Sequence, residues 1–480
     1  MAPIRSWSVA IWGLAGSACL TAGNNLAAAE PAHIATVCRQ YLQADGERKT
    51  ALEAPLRAYA GPIATVIADL ERAEPRDWGL ETPNAKPQTF LHPEYKGTFE
   101  DALLFFHVPP EYETARPIGL LIVMHGGGHG SPPEAGRIYV TEHARVGLRP
   151  CIDHIPFITV APSAPPAESS ARWNLPETEA YLSAVIAECQ YRFNIDPDRV
   201  VLAGMSMGGF GAFGMCQRMA DRIAAGIAIS GAWSCSHFPC LTGTPFCMIH
   251  GAKDAVPGKR PRFTDVFYAR SAHRLLEEAG IEHLYLEHKG GHNLYKDQVG
   301  EALAESFKWV AAKRRDPYFP HVVAMDPRGA YLNNRTQLSA QHCRWVSILE
   351  KREGTLPVSA VTRTGPGPKW KETEEAFAQQ GFRLTTRPIP AALVDARLVA
   401  RNRFEVETTN VKRLALWLAP EMVDFSQPVT VVLDGQVRVY RDLRPTLFDA
   451  LRSYERSRDW RLVYPCELVL EIPETGREGK

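Results

Sequence analysis

Three textures of apolar patterning follow one another along the chain. Between about residues 32 and 73 the period is helical. Ile34, Val37, Cys38, Tyr41 and Leu42 share one face, and Leu52, Leu56, Tyr59, Ile63, Val66, Ile67 and Leu70 form a second stripe. Gly61-Pro62 is expected to break that second stretch. The pattern predicts helices that pack as an appendage on the domain that follows.

From about residue 100, short apolar runs alternate with helical stretches. Ala102 to Val108, the unbroken Ile118 to Met124, Phe157 to Val160, Val200 to Ala203, Ala224 to Ser230, Pro245 to His250 and His283 to Glu287 read as strands. Between them, Leu182, Val185, Ile186, Cys189 and Phe193 fall on one helical face, a second helix spans about Tyr268 to Ala279, and a third runs through Ala302, Phe307, Trp309 and Val310. Asp196-Pro197-Asp198-Arg199 is expected to turn the chain into the strand at Val200. Runs apolar on both faces, alternating with helices, imply a doubly wound, mostly parallel α/β sheet with its functional site at the carboxyl ends of the strands.

After Arg314-Arg315-Asp316-Pro317 the period shortens to two. Phe404 and Val406 alternate with Glu405 and Glu407, and Leu414, Leu416 and Leu418 keep the spacing. Asp434-Gly435, between apolar-alternating arms, predicts a hairpin with a type I′ turn. A helix near Leu447, Leu451 and Tyr454 and a last strand near Glu467 to Ile472 complete the region. The expected division is a helical N-terminal segment over 30–76, an α/β domain over 77–318, and a smaller β-rich C-terminal domain over 319–480.

Residues 1–29 read as an export signal. Arg5 precedes an uncharged, largely apolar stretch from Trp7 to Ala22, and Ala27-Ala28-Ala29 offers a small-residue cleavage site. The expectation is a periplasmic or secreted protein with no membrane span in the mature chain. Lys+Arg and Asp+Glu both number 54, so nothing in the balance recruits nucleic acid. Of the 10 cysteines, all but Cys19 lie beyond residue 29, and in an oxidising compartment Cys235 and Cys240 are the expected local bridge.

The chemistry centres on Gly204-Met205-Ser206-Met207-Gly208, set between an aliphatic strand and a helix-compatible run. That order is the context in which a G-x-S-x-G serine is lifted out of the sheet as a nucleophile. Such a serine needs a histidine base and a carboxylate that holds the histidine in one tautomer. Asp254 lies just past one strand, and His292, after Gly290-Gly291, lies just past the next. His250 and His288 are rivals for the base, with His250 better placed to support the turn carrying Asp254. The oxyanion hole draws one N–H from Met207, and a second from the glycine run after His125, with Gly127 the first choice and Gly126 or Gly128 its neighbours. A metal reading of His125 and His129 lacks the H-E-x-x-H pattern, and no metal or other cofactor is expected.

Taken together, Met124-His125-Gly126-Gly127-Gly128, Asn194 through Val200, Gly204 through Gly209, His250-Gly251-Ala252-Lys253-Asp254 and Gly291-His292 resemble the α/β-hydrolase superfamily over about residues 98 to 312. The resemblance is to secreted esterases related to feruloyl esterases, polyhydroxybutyrate depolymerases and prolyl-oligopeptidase-like hydrolases. It implies Ser206 as nucleophile, Asp254 as acid and His292 as base, acting on a small-molecule or polymer-linked ester. A serine peptidase is the alternative, weakened by the lack of a propeller-sized segment before the α/β region. A non-catalytic binding protein on the same scaffold is a further alternative. The C-terminal domain offers polysaccharide or cell-wall contact through Trp345, Trp370 or Trp417, although Trp417 in an alternating strand reads better as core.

Overall fold

The computed structural model describes residues 31–127, 131–141, 148–165, 172–175, 177–255, 264–294, 296–327, 342–364 and 381–473. The export signal, Gly128, His129 and Trp370 therefore lie outside the described residues. The chain opens with three helices, α1 (Pro31–Gln43), α2 (Gly46–Ala58) and α3 (Ile63–Arg72), with Gly61-Pro62 at the predicted break. Their apolar faces gather Ile34, Cys38, Leu56, Val66 and Leu70 into one cluster with Leu447, Phe448 and Leu451. The helices thus pack on a helix of the C-terminal region, not on the α/β region that follows them in sequence.

The central sheet is built from β1 (Leu104–His107), β2 (Ile118–Met124), β3 (Phe157–Pro162), β4 (Ile195–Met205), β5 (Ala225–Ile229), β7 (Phe246–Gly251) and β8 (His283–His288), with the short β6 (Cys235–Ser236) outside it. Its order is β1-β3-β2-β4-β5-β7-β8, and only β1 runs antiparallel to its neighbour. Alternate residues serve opposite faces. Leu120, Ile122, Leu202 and Met248 pack with α5 (Thr178–Arg192), α6 (Met207–Arg218) and α7 (Phe267–Glu278). Leu121, Val123, Val201, Ala203 and Ile249 pack with α4 (Leu148–Ile152) and α8 (Lys296–Ala311). Both faces are covered, which is why these strands carry unbroken apolar runs.

One expectation fails in β4. Asp196 to Arg199 were expected as a turn, yet they lie within the strand. The ladder to β2 explains this, because Ile118 pairs with Ile195 and Leu120 with Val200, so the residues between are bulged out of register rather than folded back. Since β3 and β4 flank β2 on opposite sides, the crossovers diverge between β2 and β4, and the crevice of a doubly wound sheet opens there.

The remaining strands are β9 (His321–Pro327), β10 (His342–Cys343), β11 (Val346–Lys351), β12 (Thr355–Thr364), β13 (Gly381–Ala400), β14 (Arg403–Thr409), β15 (Val411–Leu418), β16 (Val429–Leu433), β17 (Gln436–Tyr440) and β18 (Cys466–Glu471), with helix α9 (Leu447–Ser457) before the last. Asp434 and Gly435 have φ of 47° and 80°, the two positive values that a type I′ turn requires. Trp345 and Trp417 are 0% and 3% exposed, so neither offers a ring to a polysaccharide. The nine described cysteines are all buried and no disulfide joins any two of them. Cys235 is held in β6 by its pairing to β12, Cys240 lies in the turn Phe238–Leu241, and both point into an apolar cluster with Val323 and Met325. The expected Cys235–Cys240 bridge is not formed.

Two arginines tie the C-terminal region to the α/β sheet. Arg315, fully buried, bonds Asp198 on β4 and Asp459 beyond α9. The Arg344 guanidinium donates to the carbonyls of Ala220, Thr242, Gly243 and Asp316. Among the described residues, no helix is long and apolar enough to cross a membrane.

Candidate active site

Ser206 stands between β4 and α6 with φ 54° and ψ −111°, a strained conformation for a residue with a side chain. Packing enforces it. The Ser206 N–H donates to the Ile229 carbonyl of β5 at 2.9 Å. A Cβ on Gly204 would come within 2.0 Å of the Gly208 oxygen, and one on Gly208 within 1.9 Å of the Met124 oxygen. Only glycines let α6 start this close to β2 and β4.

His292 and Asp254 arrive from the ends of the two strands beyond β5. The Ser206 hydroxyl lies 2.9 Å from His292 Nε2, and His292 Nδ1 lies 2.9 Å from Asp254 Oδ2. With the carboxylate accepting from Nδ1–H, Nε2 is left to accept the serine proton. Asp254 sits in the turn Ala252–Ala255 directly after β7. Its Oδ2 also accepts from His250 Nε2 at 3.1 Å, and its Oδ1 from the Thr264 hydroxyl at 3.3 Å. Burial pushes this carboxyl up, but the hydrogen bonds from His250 and His292 outweigh it and hold it below the usual carboxylate range.

The rival histidines therefore have other work. His250 Nε2–H is shared between the Asp254 carboxylate and the Thr264 carbonyl, the latter at 2.7 Å, so it braces the Asp254 side chain. His288 Nδ1 accepts from the Gly290 N–H at 3.1 Å and so shapes the loop that presents His292. That loop lies against the turn carrying Asp254, with Lys253 N–H donating to the Gly290 carbonyl at 2.9 Å. A Cβ on Gly251 would meet the Gly291 oxygen at 2.3 Å, which is why β7 ends in glycine. Thr264 was not singled out from the sequence, because a threonine ten residues past its partner carries no local signal.

Gly127 has φ 118°, reachable without strain only by glycine, and a Cβ there would strike Ser131 Oγ at 2.0 Å. The neighbouring His125 is fully buried and fixes this loop. Ala164 N–H donates to its Nε2 at 3.0 Å, so the ring proton is on Nδ1, which donates to the Gly126 carbonyl at 2.8 Å. Burial, the largest influence, lowers its pKa to about 4, and the ring is neutral at ordinary pH. The Gly126 carbonyl and the Gly127 N–H share one trans peptide, so tying the carbonyl to His125 turns the N–H the opposite way. Gly126 N–H donates to the Tyr139 hydroxyl at 3.0 Å, so that N–H is engaged within the protein. Met207, first residue of α6, contributes an N–H that helix geometry leaves without an intrahelical acceptor. Trp173 completes the support by donating its indole N–H to the His125 carbonyl at 3.0 Å.

Elsewhere, a cleft of about 400 Å³ lies between the α3 exit, α5 and the segment after α9, lined in part by Trp78, Tyr95, Tyr191 and Trp460. It contains none of the three hydrogen-bonded side chains at Ser206. Among the described residues, no cluster of three or more His, Cys, Asp or Glu side chains could hold a metal.

No family model and no curated protein matches the chain. Among solved structures, a thermostable esterase matches at 21% identity with a TM-score of 0.37, over 48% of this chain and 63% of its own. A ferulic acid esterase matches at 17% and 0.35, over 44% of this chain and 91% of its own. The butyrate-bound esterase Est2 of Thermogutta terrifontis matches at 15% and 0.35, over 49% and 96%. This chain thus spans less than two thirds of the thermostable esterase, and each likeness covers less than half of this chain. Sheet order, the divergence of crossovers between β2 and β4, and the strained serine between β4 and α6 give the chain the α/β-hydrolase fold.

Proposed function

We propose that this chain is an exported serine hydrolase that cleaves carboxylic esters through an acyl-enzyme intermediate. The observation that carries the reading is the unbroken line from Ser206 Oγ through His292 to Asp254, with both hydrogen bonds at 2.9 Å. Ser206 Oγ adds to the acyl carbon while its proton passes to His292 Nε2. Asp254 stabilises the imidazolium and keeps Nδ1 protonated. The carbonyl oxygen, now anionic, lies between the N–H groups of Met207 and Gly127. Collapse expels the alcohol, which takes the proton from His292. Water, deprotonated in turn by His292, then releases the carboxylic acid. No step needs a cofactor.

The choice of ester over amide rests on the resemblance of the motifs to secreted esterases. Export rests on Arg5, the apolar stretch to Ala22 and the Ala27-Ala28-Ala29 site. Turnover of p-nitrophenyl acetate and butyrate set beside a chromogenic peptide tests the reading. Ester hydrolysis that disappears in Ser206→Ala is the expected result. Robust peptide cleavage without ester cleavage would transfer the site to the peptidase reading.

A further inference from the structure

The role of Ser206 leaves one large feature without a purpose. The antiparallel ribbon β12–β13 belongs to the C-terminal region, yet it is built onto the α/β domain at two places.

The first attachment is to β6. Ser359 pairs with Ser236 and Ala360 with Cys235, and the Val361 N–H donates to the Ser234 carbonyl at 2.9 Å. Residues 234–236 lead away from the carboxyl end of β5, whose Ile229 carbonyl holds the Ser206 N–H. Because the pairing is antiparallel, β12 climbs from Ser236 towards Ser234, back towards that carboxyl end. Thr364, paired with Gly381, and Arg363, paired with Phe382, form the end of the ribbon that lies furthest along this direction.

The second attachment places that end independently. The Phe382 ring stacks on Phe267 at 5.5 Å and 20°, and meets Tyr268 edge-on at 5.4 Å. These two residues open α7, three and four positions after Thr264, whose hydroxyl and carbonyl grip Asp254 and His250. The ribbon also has a clear sidedness. Val361 and its partner Leu384, with Phe382, join the apolar core of the α/β domain, whereas Val358 and Ala360 join a separate cluster. Phe382 and Leu384 are only half-buried, and so is Phe210, which packs on the same core one helical turn after Ser206.

We propose that the face of the ribbon formed by Val361, Phe382 and Leu384 is one wall of the substrate cleft. Phe382 contacts the apolar group carried by the ester, an aryl ring or an alkyl chain of several carbons. The inference rests on Ser206 as the nucleophile. An apolar wall beside the reacting carbon distinguishes substrates by the methylenes or ring they place against it, each worth roughly tenfold or more in kcat/KM. The C-terminal region is then part of the catalytic unit, and its ribbon sets which esters are taken.

The test uses the full chain with Phe382→Ala and Phe382→Leu, the second keeping an apolar side chain so that the fold is retained. The readout is the ratio of kcat/KM for p-nitrophenyl octanoate to that for p-nitrophenyl acetate. A parallel pair, phenyl acetate and ethyl acetate, shows whether the wall faces the alcohol. Phe382→Ala is expected to lower at least one of these ratios about tenfold, with a smaller change for Phe382→Leu. An equal loss on every ester, or unchanged ratios, overturns the wall and leaves Ser206 in place. A wild-type chain that hydrolyses no ester overturns the Ser206 reading and the wall with it.

Discussion

His125 offers the sharpest test of how the backbone of the loop after β2, the proposed oxyanion loop, is held. Its two ring nitrogens do different things. Nδ1–H fixes the Gly126 carbonyl at 2.8 Å, and Nε2 receives the Ala164 N–H at 3.0 Å. Asparagine at this position carries an amide nitrogen where Nδ1 was, and glutamine reaches the place of Nε2. His125→Asn therefore keeps the bond that orients the Gly127 N–H and leaves the Ala164 N–H unpaired, and His125→Gln does the reverse. Asn strands the buried Ala164 N–H, at about 1–3 kcal/mol, whereas Gln releases a part-buried Gly126 carbonyl that solvent can reach, so Gln is expected to lose no more stability than Asn. Their activities should separate. Deleting an oxyanion donor costs on the order of 10²–10³ in kcat. A donor left in place but unaimed should cost about 10- to 100-fold, so Gln is expected to fall below Asn by roughly that margin with little change in KM. Steady-state kinetics on p-nitrophenyl butyrate and urea unfolding of the same preparations supply both numbers. Equal kcat in the two variants, or the opposite order, would refute the argument. The wild type adds a pH signature. The folded pKa of His125 is lowered from 6.5 to about 4, so its contribution is full above pH 6.5 and is lost as the pH falls towards 4. The loss is on the order of 3 kcal/mol and should be missing in both variants.

Asp254 makes a second acid-side prediction. Its folded pKa is depressed, so the stability it contributes is present above about pH 4 and is lost as the pH falls through the lower folded value. The stability gap between wild type and Asp254→Asn should narrow below pH 4 in urea unfolding, and a constant gap would contradict the bonding described. Arg344→Met is expected to destabilise the chain by about 3–5 kcal/mol, because it leaves several buried carbonyls without a donor. An unfolding free energy within about 1 kcal/mol of wild type would mean that the guanidinium does not tie the C-terminal region to the sheet.

Much of this site is legible in the sequence because a doubly wound sheet puts its chemistry where strands stop. Ser206, Asp254 and His292 each follow an apolar run directly, and the glycines around them mark the close approaches that the structure contains. What escaped depends on partners distant in sequence. Asp196 to Arg199 contain the proline and aspartates of a turn, and only the register of β4 on β2 shows them to be a bulge. The N-terminal helices show their apolar stripe but not its destination, which is α9, about 400 residues away. The ribbon is harder still. Thr385 to Pro388 in β13 are exposed, so the strand lacks the alternation that marks β14 and β15. Arg344 and Thr264 act through backbone carbonyls and one carboxylate brought in from elsewhere, and nothing in their local sequence distinguishes them from surface residues.

The proposed chemistry depends above all on Ser206 acting as a nucleophile activated by His292. A fluorophosphonate probe, followed by peptide mass analysis, reads this directly, because the phosphonyl group stays on the attacked oxygen. One modified peptide is expected, carrying the adduct on Ser206, with labelling abolished in Ser206→Ala and strongly slowed in His292→Ala. A folded wild-type chain that takes up no label, or takes it up on another serine, would contradict it.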